Sequence, residues 1–139
     1  MPDETARRDA LEAYYDMKLE IFRRLLGDRM HPYLVVSSDA GPFDCEFGRM
    51  HYGLELAVQA GMSPLQAIEA ATSIAARACG VADLTGSLEP GKEADLLVVH
   101  GNALADVRRM ADVAAVCKAG LKVGVLPANA LLPTPSRLP

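Results

Sequence analysis

Apolar side chains recur at Leu11, Tyr14, Tyr15, Leu19, Phe22, Leu25 and Leu26. That three-to-four spacing predicts an amphipathic helix from about Thr5 to Leu26. Gly27 stops it, and Asp28 to Pro32 reads as a short connection. The continuous apolar run that follows, Tyr33 to Ser38, predicts a strand buried on both faces, as in a parallel sheet. Helix, short loop and buried strand in this order is the grammar of an α/β barrel.

No element is assigned between Gly41 and Arg49. Met50 to Ala60 shows helical spacing through Leu54, Leu56, Ala57 and Val58, closed by Gly61. Ser63-Pro64-Leu65-Gln66 starts the next helix: Ser63 can cap, Pro64 suits the first turn and Gln66 completes a capping box. This helix is expected to run to Cys79 and end at Gly80. Beyond it the pattern changes to short strands, around Ser87 and Leu88, at Asp95 to Val99, at Val113 to Lys118 and at Lys122 to Val125. Turns at Pro90-Gly91 and Ala119-Gly120 separate them. Leu126 to Pro139 carries four prolines and no clear period, so an extended or disordered tail is expected there. No internal repeat is evident.

The chain has 139 residues, half of them hydrophobic, enough for one domain with a modest core. A complete (β/α)8 barrel needs about 250 residues. The net charge is −4 with both signs interspersed, which leaves no basic stripe for phosphates and argues against a nucleic-acid partner. No apolar run approaches the roughly 20 residues of a membrane helix. The start Pro2-Asp3-Glu4 is unlike a basic and then apolar signal. Cys45, Cys79 and Cys117 are odd in number and form no C-x-x-C pair, so they read as reduced thiols of a cytoplasmic protein.

Asp39 ends the apolar run and precedes the turn formers Ala40-Gly41-Pro42. The carboxyl end of a buried barrel strand is where catalytic groups sit. On spacing alone the favoured reading of Asp39 is an aspartate capping the next turn. Arg49 and His51 border the same loop. Arg49 could grip a substrate carboxylate bidentately and His51 a carboxylate or carbonyl, although a solvated helix start explains both equally well. His31 precedes Pro32 at the other end of the predicted strand from Asp39, which makes a shared metal site geometrically difficult. His100 reads as a surface turn, and Thr72 as a packing residue in a helix of small side chains. Asp44 and Glu46 flank Cys45 at no EF-hand spacing and read as a solvated acidic loop. Gly86 to Gly91 lacks the following Lys-Ser or Lys-Thr of a phosphate loop.

Ser38-Asp39-Ala40-Gly41, Ala70-Ala71-Thr72, and Gly86-Ser87-Leu88-Glu89-Pro90-Gly91-Lys92 leading into Ala94-Asp95-Leu96 together resemble the closing part of the metal-dependent amidohydrolase superfamily. The likeness covers roughly Leu11 to Val125 and leans toward the imidazolonepropionase and Xaa-Pro dipeptidase-like branch. It implies an α/β fold: a partial TIM barrel, its last strand and flanking helices, over residues 1–80. Strands of the small composite β-sandwich would occupy 81–125, and the Pro-rich tail 126–139. It also implies hydrolysis of a C–N bond in a small amide, cyclic amide or dipeptide. Asp39 would then be both metal contact and proton shuttle, because a carboxylate can take the proton of an attacking water and return it to the leaving nitrogen.

The family's divalent metal, zinc foremost, also needs a His-x-His and further histidines. None of these has a counterpart here, where the histidines are His31, His51 and His100. The resemblance therefore implies no metal centre, and no activity, in the isolated chain. A different class of reading is a non-catalytic domain derived from the same fold. A single barrel strand with its helices leaves apolar faces bare, so a homo-oligomer or a complementary half-barrel is the expected partner.

Overall fold

The computed structural model describes residues 3–28, 30–38, 40–41 and 47–123. Helix α1 spans Glu4–Gly27, and the Asp3 carboxylate accepts the Thr5 N–H at 3.3 Å at its start. Glu4 in its first turn and Arg24 in its last complement the helix dipole. Of its apolar residues only Leu19 is buried, while Phe22 and Leu26 pack against the core from its edge.

A 3-10 turn, His31–Tyr33, replaces the first residue of the expected strand. Leu34 then turns extended, but 34–38 joins no strand ladder among the described residues. One tie to the rest of the fold is lateral: the Val36 N–H donates to the Ala70 carbonyl at 3.2 Å. The sequence run is apolar enough to be a strand, but a strand also requires a neighbour to complete its hydrogen bonds.

Helix α2, Met50–Ala60, matches its expected bounds and is closed by Gly61 at φ 123°, a conformation that favours glycine. Helix α3 spans Pro64–Ala71 behind a complete capping box: the Ser63 hydroxyl accepts the Gln66 N–H at 3.2 Å, and Gln66 Oε1 accepts the Ser63 N–H at 2.8 Å. The expected single helix to Cys79 is in fact two. Thr72, at φ −127° and ψ −91°, separates α3 from α4, Ser73–Ala78. Its hydroxyl donates to the Ile68 carbonyl at 2.7 Å, so the side chain turns back on α3 instead of packing inward.

The core gathers Val36, Leu54, Ala57, Met62, Ala67, Ala70, Ile74 and Val107. Ala67 and Ala70 have no exposed surface, which sets how closely α3 meets its neighbours. Val107 reaches this core from a 3-10 turn, Val107–Ala111, that docks on α2.

Strands β1, Leu96–Val99, β2, Val113–Lys118, and β3, Leu121–Val123, form an antiparallel sheet in the order β1-β2-β3. Leu97, Val116 and Val123 are partners across all three strands, with an irregularity between Val98 and Val99. Ala119 at φ 49° and Gly120 at φ 79° make the two-residue turn between β2 and β3. The Asp95 carboxylate secures that turn, accepting the Ala119 N–H at 2.8 Å and pairing with Lys118. No strand forms at Ser87 and Leu88. Instead Lys92 Nζ donates to Ser87 Oγ at 2.6 Å and to Glu89 at 3.2 Å, closing this segment into a turn.

The architecture is thus a helical layer followed by a small sheet. The last residues of the expected fourth strand, 124–125, and the Pro-rich tail lie outside the described residues.

Candidate functional site

The site expected from the sequence lies between the end of 34–38 and the first turn of α2. Helix α2 can pass the extended segment closely because its residue 53 is glycine. A β-carbon there would stand 3.1 Å from Val36 Cγ1 and 3.6 Å from the Ser37 carbonyl oxygen. Further along, Gly41 at φ 126° approaches the Phe47 ring, which would lie 3.8 Å from a β-carbon at that position. The close approach is at Gly53, while Gly41 is set by its positive φ and makes only an ordinary contact.

Arg49, half-buried, is the N-cap residue of α2 and provides no side-chain cap. Its Nη1–H donates to the Tyr52 hydroxyl at 3.1 Å, and the guanidinium lies 5.7 Å from the Tyr52 ring centroid. The His51 ring sits 4.3 Å from the same ring, tilted by 44°. The structure thus brings Arg49 and His51 together around Tyr52, which sequence reasoning did not single out. The signal was present: Arg49 and Tyr52 are three apart on a helix, the spacing at which side chains meet. Chemically, the cluster offers a planar cation and an imidazole at a helix start, a combination suited to a carboxylate or a carbonyl oxygen.

Asp39, Asp44, Cys45 and Glu46 lie outside the described residues. His31 lies in the 3-10 turn at the far end of the extended segment, and His100 is exposed after β1, its N–H bonded to the Asp112 carbonyl at 2.8 Å. Among the described residues, no three His, Cys, Asp or Glu side chains come close enough to hold a metal ion. The described residues therefore do not fit a metal centre on their own. Cys79 and Cys117 are free thiols.

Among the described residues, displaced pKa values fall in the sheet and its connections, and each has a structural cause. Hydrogen bonding from Lys118, then from the Ala119 N–H, lowers the Asp95 carboxyl. Ser87, then Lys92, lowers Glu89, and Arg108 lowers Asp106. These pairs shape turns.

An apolar groove of about 550 Å³ runs beside the cluster, between α1, residues 35–37 and α2. Tyr15, Phe22, Val35, Gly53 and Ala57 are among its walls, and Lys18 is the one charged residue among its described walls.

Residues 18–123 match the model of the Amidohydrolase family. The chain belongs to the amidohydrolase family. Among curated relatives it is similar to imidazolonepropionase of Geobacillus kaustophilus (strain HTA426), 60% identical over 40 residues, which is 29% of this chain and 9% of that protein. It is also similar to adenine deaminase 1 of Rhizobium meliloti (strain 1021), 37% identical over 83 residues, or 58% of this chain and 14% of that one. Among solved structures, a Xaa-Pro dipeptidase with methionine bound in its active site superposes with a TM-score of 0.69 at 30% identity. That match covers 76% of this chain and 25% of the dipeptidase. This amidohydrolase chain therefore spans about a seventh or less of the curated relatives and a quarter of the solved one. No helix among its described residues is long and apolar enough to cross a membrane.

Proposed function

We propose that this chain supplies the closing part of an amidohydrolase that hydrolyses a C–N bond in a small amide, cyclic amide or dipeptide. The observation that carries the reading is the match over residues 18–123, with relatives named as an imidazolonepropionase, an adenine deaminase and a Xaa-Pro dipeptidase. In this reading 34–38 is the final strand of a partial barrel, and β1 to β3 belong to the adjoining sandwich. Asp39 takes the proton of the attacking water and returns it to the leaving nitrogen. It is also the one residue of this chain that we assign as a metal contact.

Arg49 and His51, steadied by Tyr52, bind the substrate's carboxylate or carbonyl. The described residues do not build a metal site, so a divalent ion, zinc foremost, would be held chiefly by the remainder of an amidohydrolase domain. By itself the chain is inactive. A chimera tests this: residues 18–123 replace the matching segment of the Xaa-Pro dipeptidase, and hydrolysis of Xaa-Pro dipeptides is followed. Activity that is lost on Asp39→Asn supports the assignment. A folded chimera whose activity is indifferent to that change defeats it.

A second reading, a self-associating domain without catalysis, is favoured by the bare apolar surface. Tyr14, Met17 and Ile21 on α1 are about half exposed, and so are Leu97 and Val98 in the sheet.

A further inference from the structure

We draw no further inference here: the strongest candidate, the apolar groove between α1, residues 35–37 and α2 together with the exposed edge of α1 beside it, carries nothing because nothing in the structure shows what covers it.

Discussion

Gly53 and Val36 meet so closely that a methyl group on Gly53 would stand 3.1 Å from Val36 Cγ1. That approach fixes α2 against the extended segment, and with it the start of α2 that carries Arg49, His51 and Tyr52. Alanine at 53 gains about 1 kcal/mol of helix propensity, which the tight contact offsets, so Gly53→Ala should be nearly neutral. Gly53→Leu should cost about 1–3 kcal/mol in urea unfolding. In a Val36→Ala background the cost of Gly53→Leu should shrink by at least about 0.5 kcal/mol, because the two side chains would share one space. Equal costs in both backgrounds would show that they do not.

Gly86 and Gly91 separate strain from crowding. Both have φ near 90°, but a β-carbon at Gly86 would lie 2.4 Å from the Ala76 β-carbon and 3.1 Å from the Thr72 carbonyl oxygen, whereas at Gly91 nothing lies within 4 Å. Gly91→Ala should therefore cost about 1–2 kcal/mol, from backbone strain alone. Gly86→Ala should exceed it by about 1–3 kcal/mol, because α4 must move as well. Thermal unfolding of the two variants side by side measures the difference.

The capping box of α3 is a local stability element. Ser63→Ala removes the acceptor for the Gln66 N–H and should cost about 1 kcal/mol by chemical denaturation. Gln66→Ala leaves the Ser63 hydroxyl in place and should cost less. The double variant should fall short of the sum, because the two bonds form one reciprocal unit.

The Asp95–Lys118 pair should give the sheet a pH dependence with two limbs. Asp95 is held below its ordinary value of 3.8, chiefly by Lys118, so its contribution is complete above that value and is lost as pH falls through the lower folded one. Lys118 is held above 10.5, chiefly by Asp95, so its contribution is complete below that value and fades as pH rises through the higher folded one. Amide exchange in β2 and β3 should quicken at both extremes. Asp95→Asn should flatten the acid limb and Lys118→Met the alkaline one. An acid limb that survives Asp95→Asn unchanged would assign it to other carboxylates.

Elements with local signals were legible in the sequence. The α2 bounds follow from its apolar spacing and Gly61, and the start of α3 from Ser63, Pro64 and Gln66. The break at Thr72 was not legible, because the apolar period continues across it. It is seen only once the Thr72 hydroxyl is found on Ile68 and Gly86 against α4. Residues 33–38 have the composition of a strand, but strand pairing depends on neighbours that no local pattern supplies. The Arg49-His51 grouping was anticipated as two separate candidates. Tyr52, which joins them, was not singled out in the sequence.

The Arg49–Tyr52 contact yields the last prediction, read in the dipeptidase chimera. If Arg49 binds a substrate carboxylate through its planar fork, Arg49→Lys keeps the charge but loses the second hydrogen bond. KM should rise about tenfold with kcat little changed, the signature of binding shared by ground and transition states. Tyr52→Phe removes the hydroxyl that accepts from Nη1 at 3.1 Å but keeps the ring under the guanidinium. Its KM should rise less, by about two- to fivefold, because Tyr52 only positions the guanidinium and does not itself hold the substrate. A fall in kcat at constant KM for Arg49→Lys would instead place the guanidinium at the reacting carbonyl, where charge develops only in the transition state.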